Sequence, residues 1–193
     1  TLETSGPVRW LDANAGSTGF YRVAYSPELL ATLGKSLGAL LPAERIGLLA
    51  DQWALVRAGR ARIADFLDLA LAFGDESDHA VLDELVGRLG YVEARLVDGE
   101  DQERFRRLVE RLFLQRFQGM GWDPVAGETN QDRLRRAALV RAVAGVARAR
   151  SVLAETGPRV DRVLNGQRTA LDPNLVDTAV AVTARDGDSE LFD

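Results

Sequence analysis

The chain holds one imidazole, His79, and no thiol, which limits the chemistry open to it. Hydrolysis by a zinc-bound water needs two histidines on one helix face and a nearby glutamate as base. His79 is followed by Ala80 and has no second histidine to join it. A Ser-His-Asp arrangement would also have to use His79, and no serine lies in a Gly-x-Ser-x-Gly elbow. The glycines form neither a P-loop nor a dinucleotide fingerprint; Gly16, Gly19, Gly34 and Gly38 read as turn and cap residues. Asp51, Asp65, Asp68, Glu76, Asp83, Glu84, Glu100, Asp101 and Glu103 are numerous enough for acid–base work. Their helical and cap contexts read first as solvated faces. The expectation is no catalytic and no metal-ligating residue in the chain, with substrate-binding residues unassigned. His79 is expected as a solvated residue in the first turn of a helix capped by Asp78.

The arginines are the other chemically capable set. Arg104, Arg106, Arg107, Arg111 and Arg116 stand among Glu103 and Glu110, and Arg133, Arg135, Arg136, Arg141 and Arg148 follow. Mixed signs at helical spacing read as intrahelical pairs on a wet surface. The functional alternative is a guanidinium that takes a peptide carboxylate in a bidentate contact. Lys35 is the single lysine, and with the abundance of alanine and glycine this reads as the imprint of a GC-rich genome.

The elements that carry these residues are mostly helical. Ser26-Pro27 is a cap followed by proline at the first helical position, and Gly38 marks the end of that helix. Pro42 opens a second helix with Ile46, Leu49, Ala50, Trp53 and Val56 on one stripe, stopping at Gly59. A third is expected over 63–73, and a fourth after Asp78 with Leu82, Leu85, Val86, Leu89 and Val92. In the fifth, Phe105, Leu108, Val109, Leu112, Phe113 and Phe117 follow a period of 3.6. A loop at Gly119, Gly121 and Pro124 precedes a sixth helix over 130–148, a seventh in the 150s and 160s, and an eighth from Pro173.

The first 25 residues differ. Val8-Arg9-Trp10-Leu11 and Phe20-Tyr21-Arg22-Val23-Ala24-Tyr25 flank a turn-rich stretch and predict a hairpin. An isolated hairpin is marginal, so it is expected to be the last strands of a β-sandwich domain over 1–25. Residues 26–193 are then the first part of an α-helical domain that continues further. The fold class expected is mainly α, an irregular αα-superhelix of the HEAT or armadillo kind with a short N-terminal β-hairpin. No sharp repeat supports a regular array. A net charge of −5 argues against a nucleic-acid partner, and no apolar run is long enough for a membrane segment.

Four segments in order resemble the aminopeptidase N-like zinc metallopeptidases. Gly19-Phe20-Tyr21-Arg22-Val23-Ala24-Tyr25, with Asn14 before it, resembles the Gly-Tyr-Tyr-Arg-Val-Asn-Tyr segment that leads from that family's β-domain into its helical C-terminal domain. Glu44 to Leu55, with Asp51 and Trp53, is similar to Arg-x-x-Leu-x-x-Asp-x-Phe-x-Leu. Gly121-Trp122-Asp123, Gly127-Glu128 and Leu134-Arg135 resemble a later loop and helix, and Leu171-Asp172-Pro173-Asn174-Leu175 a helix opening. The departures, Phe20, Ala24 and Trp53, fall at size-tolerant positions.

The resemblance implies a non-catalytic C-terminal piece of a zinc aminopeptidase. Its zinc and its substrate-amine loop would lie in a catalytic domain outside this chain. The partners implied are the catalytic and β domains of the same polypeptide, and peptide substrates. The piece would enclose the active-site chamber and limit access to it. The expected compartment is the cytoplasm. The alternatives are a free-standing α-solenoid that binds proteins and a domain of a pseudo-enzyme without zinc.

Overall fold

The computed structural model describes Val8 and residues 10–186. Among these are eight α-helices: α1 Pro27–Gly34, α2 Pro42–Arg57, α3 Ile63–Ala72, α4 His79–Arg95, α5 Gly99–Met120, α6 Asn130–Val140, α7 Arg150–Leu164 and α8 Pro173–Asp186. The chain forms two compact units, Thr1–Leu85 and Val86–Asp193, and the division falls within α4.

In the first unit the starts and stops follow local chemistry. The Ser26 hydroxyl accepts from Leu29 N at 3.3 Å, and Pro27 takes the first position of α1. The Asp78 carboxylate accepts from Ala80 N at 2.9 Å and Val81 N at 3.2 Å, which caps α4. Gly59, at φ 68°, stops α2 in the left-handed region. The helix α3 packs against α1 and α2. There Trp53 meets Phe66 edge-on at 5.1 Å and 63°, with Leu33, Leu49 and Phe73 buried. This geometry is favoured by the aromatic quadrupoles.

In the second unit α5 packs against α6, and α8 against α6 and α7. Phe105, Val109, Phe113 and Phe117 form the buried stripe of α5, facing a core with Leu139, Val140, Val143 and Leu175. The expected sixth helix over 130–148 changes character midway. After Val140 the chain widens into a π-helical segment, Arg141–Val146, in which Ala147 N donates to Ala142 O at 2.8 Å. Small residues (Ala142, Ala144, Gly145) let the wider turn pack closely: a Cβ on Gly90 of α4 would stand 3.6 Å from Val146 Cγ2.

No strand occurs among the described residues, and Arg9 of the expected hairpin's first run lies outside them. The turn-rich stretch closes on itself instead. The Asn14 side chain accepts from Gly19 N at 2.7 Å and donates to Gly19 O at 3.1 Å. The second run is then carried to α2, where Asp51 accepts from Val23 N, a backbone group a neighbouring strand could have paired.

Candidate functional site

Two of the four resembling segments meet in the first unit. Arg22 Nη1 donates to Asp51 Oδ1 and Val23 N to Asp51 Oδ2, both at 3.0 Å. Asp51, expected on a solvated face, is buried because α2 turns it toward the incoming chain. Behind it, Glu44 accepts from Leu41 N and from Gly16 N, each at 2.7 Å. The Gly16 bond and then the Leu41 bond hold the Glu44 carboxyl below its ordinary range. Tyr25 donates to Asp12 Oδ1 at 2.9 Å and accepts from Ala13 N at 3.1 Å. Burial pushes its phenol up to about 12, the Ala13 bond opposes the rise and the Asp12 carboxylate adds to it.

Glu76 is a second carboxylate expected in water and found buried. It accepts from Arg45 Nη2 at 3.1 Å and from Asp78 N at 2.8 Å. His79 follows directly, as the first residue of α4. It is half-buried rather than solvated, because its ring turns inward and its Nδ1 is enclosed.

The third resembling segment organises the second unit. Gly121 stands at φ 65°, ψ −173°, a conformation open essentially only to glycine. That turn swings Trp122 inward, edge-on to Phe117 at 5.4 Å and 85°, with the Arg159 guanidinium 5.2 Å from its ring centre. Arg159 also makes a bidentate pair with Asp123, at 2.9 and 3.1 Å, which lowers the Asp123 pKa. Arg136, 1% exposed, makes a bidentate pair with Glu128 and donates to Gly121 O at 3.0 Å. That pairing, above all the hydrogen bonds from Arg136, holds the Glu128 carboxyl low. The neighbouring Arg135 pairs with Asp132, one turn away.

A further cluster joins α4, α5 and α8. Glu93, buried on α4, accepts from Arg106 Nε at 3.0 Å and Nη2 at 2.6 Å, and from Arg185 Nη2 at 3.2 Å. Arg148, at φ 53°, stands nearby; desolvation first, then Arg185 and Arg106, lower its pKa. So Arg106 and Arg136, expected on a wet surface, are structural cations: Arg106 ties α5 to Glu93 of α4, and Arg136 ties α6 to the loop that precedes it. Arg104 conforms to expectation, pairing with Glu100 and Asp101 on an exposed face. Glu93 was missed because nothing on α4 itself signals that its partners lie on other helices.

The first unit also holds a cavity of about 640 Å³ between α1, the end of α2 and α3. Leu30, Leu55 and Leu69 form its apolar wall, and the exposed Lys35, Arg60 and Asp68 bring charges of both signs to it. Gln52, 5% exposed, faces it. Among the described residues no group of three or more His, Cys, Asp or Glu could hold a metal ion, and no helix is long and apolar enough to cross a membrane.

A helical domain that follows the Arg22-Val23-Ala24-Tyr25 segment, with a Gly-Trp loop ahead of a later helix, is the arrangement the resemblance implied. The chain belongs to the ERAP1-like C-terminal domain family, whose model matches residues 10–193. It is 30% identical to the puromycin-sensitive aminopeptidase of Caenorhabditis elegans over all of this chain and 21% of that protein. It is 31% identical to aminopeptidase M1 of Arabidopsis thaliana over 96% of this chain and 22% of that protein. It is 37% identical to aminopeptidase M1-A of Oryza sativa subsp. japonica over 70% of this chain and 16% of that protein. The chain thus spans about a fifth of the length of the curated relatives it matches.

Proposed function

We propose that this chain is the non-catalytic C-terminal part of a zinc aminopeptidase that removes N-terminal residues from peptides. The observation that carries the reading is the match to a family of C-terminal domains, together with relatives that are themselves aminopeptidases. Residues 1–25 would be the exit from a β-domain and residues 26–193 the helical domain. The chain's own work would be mechanical: its rigid helices enclose the active-site chamber and limit which peptides enter. Its pinned carboxylates are engaged in packing and are not free for proton transfer, so the chemistry would fall to zinc held by a catalytic domain of the same polypeptide. Such a protein would act in the cytoplasm.

The test compares the longer polypeptide that contains this sequence with the 193-residue chain alone. The longer protein is expected to contain one zinc per chain and to release N-terminal residues until a chelator is added. The chain alone is expected to do neither. Stoichiometric zinc or aminopeptidase activity in the chain alone overturns the reading. A longer protein without zinc or activity favours a pseudo-enzyme or a binding scaffold instead.

A further inference from the structure

We infer that Asn165, at the end of α7, is a site of spontaneous modification in the folded chain: the Gly166 nitrogen displaces its side-chain amide as ammonia. The chain has four asparagines, Asn14, Asn130, Asn165 and Asn174, and only Asn165 is followed by glycine. A backbone nitrogen can attack the carboxamide carbon of the residue before it, and with glycine no Cβ crowds that approach. The Gly166 nitrogen forms a bond to Asn165 Cγ, the Cγ–Nδ2 bond breaks, and the proton of that nitrogen leaves with Nδ2 as ammonia. Water then opens the cyclic imide at either carbonyl, which leaves aspartate or isoaspartate at position 165.

The fold sets how readily this happens. Asn165 and Gly166 are both exposed. Gly166, at φ 90°, closes the helix: its N–H donates to Val163 O at 3.0 Å, and Gln167 N donates to Arg162 O at 2.9 Å. Asn165 Nδ2 donates to Asp161 O at 2.9 Å. Attack requires the Asn165 side chain and the peptide beyond it, at ψ 15°, to turn toward each other, which breaks these three bonds. No core has to open with them. The apolar contact that often locks such a cap would fall here to Gln167 and Arg162, which are polar, and Leu164 is 69% exposed. The end of α7 therefore opens locally, well short of global unfolding. Asn14 is held by Gly19 on both sides of its amide and precedes Ala15, while Asn130 and Asn174 precede the bulkier Gln131 and Leu175. The product matters to the helix. A carboxylate at position 165 no longer donates to Asp161 O and stands at the negative end of the α7 dipole, so modification loosens the turn that leads toward α8.

The test ages the full 193-residue chain in mildly alkaline buffer, folded and in guanidinium chloride, and follows its tryptic peptides by mass spectrometry. Cleavage after Arg162 and Arg168 isolates residues 163–168, in which Asn165 is the single asparagine. That peptide should exchange an amide for a hydroxyl at position 165, in two products that separate on chromatography. Three exposed hydrogen bonds of ordinary worth should slow the folded chain about a hundred-fold relative to the unfolded one. Asn14, Asn130 and Asn174 should convert more slowly than Asn165 in both states. Asn165→Gln should abolish the products. Asn165→Asp, which brings the charge alone, should speed hydrogen exchange of the last α7 amides about two- to five-fold. The inference is overturned if the folded chain does not convert, or lags the unfolded one by more than roughly several thousand-fold, the protection that global unfolding gives. It is also overturned by equal rates in the two states, by another asparagine that converts as fast, or by unchanged exchange in Asn165→Asp.

Discussion

Replacing Glu93 with leucine tests whether the buried ion cluster of α4, α5 and α8 holds the second unit together. The Glu93 side chain is 2% exposed and receives two hydrogen bonds from Arg106, itself 18% exposed, and a third interaction from Arg185, 46% exposed. Gln102 Nε2 adds a contact at 3.3 Å. Leucine fills a similar volume but leaves the Arg106 guanidinium in a place it cannot readily leave. Removing one partner of a buried pair costs about 3–5 kcal/mol. Arg106 retains Glu103 at 2.7 Å, and Arg185 can turn to water, so the lower end, about 3 kcal/mol, is expected. For a chain of this size that lowers Tm by about 6–12 °C. Urea unfolding followed by circular dichroism should show a reduced midpoint with an unchanged slope. The double variant Glu93→Leu/Arg106→Met should regain at least half of the loss, because it removes the stranded charge as well. Glu103→Gln, at a half-exposed partner, should stay within about 0.5 kcal/mol of the parent. If Glu93→Leu costs under about 1 kcal/mol, or if Arg106→Met is as harmful in its presence as without it, the cluster is not what holds these helices.

Other perturbations read other parts of the fold. Tyr25 keeps its proton up to about pH 12 in the folded chain, against 10.0 for a free phenol. The stability this confers is complete below pH 10 and is lost as the pH rises through about 12. A near-ultraviolet pH titration should show a phenolate step near pH 12 that Tyr25→Phe removes; if the step that the variant removes lies near pH 10, the burial argument is contradicted. Gly121→Ala should destabilise by about 2 kcal/mol from backbone strain alone, since a Cβ there meets nothing within 4 Å. Gly119→Ala, inside α5, should instead be neutral or stabilise by up to about 0.5 kcal/mol, and urea midpoints that move in the same direction would refute the contrast. Asp51→Leu orphans the Val23 N–H and should cost about 1–2 kcal/mol, whereas Arg22→Ala, whose side chain is 62% exposed, should cost under about 0.5 kcal/mol. A larger loss for the arginine, measured by the same unfolding, would reverse that ranking.

The helices were legible because their signals are local. Ser26-Pro27, Asp78, Gly59 and the stripe of α5 each announce themselves within a few residues. The roles of the charged residues were not legible, because their partners are distant in sequence. Arg22 meets Asp51 across 29 positions, Arg45 meets Glu76 across 31, and Arg185 meets Glu93 across 92. No periodicity on one helix distinguishes Arg136, which is buried, from Arg135, which turns back to Asp132. The π-helical segment escaped for a related reason. Its wide turn depends on small residues packing against neighbouring helices, and a 3.6 period continues through it undisturbed. The cavity could not be read at all, since Gln52 lies in the middle of an ordinary helical sequence and owes its surroundings to α1 and α3.

Lys35, the sole lysine, lies at the cavity between α1 and α3. The chain therefore offers amine-reactive reagents one side-chain target. Once any α-amine has been acylated near neutral pH, where it reacts ahead of lysine, a fluorophore or photo-crosslinker reaches a single known side chain without mutagenesis. A label there would report, through its brightness, on whether α1 and α3 stay packed together as the chain unfolds.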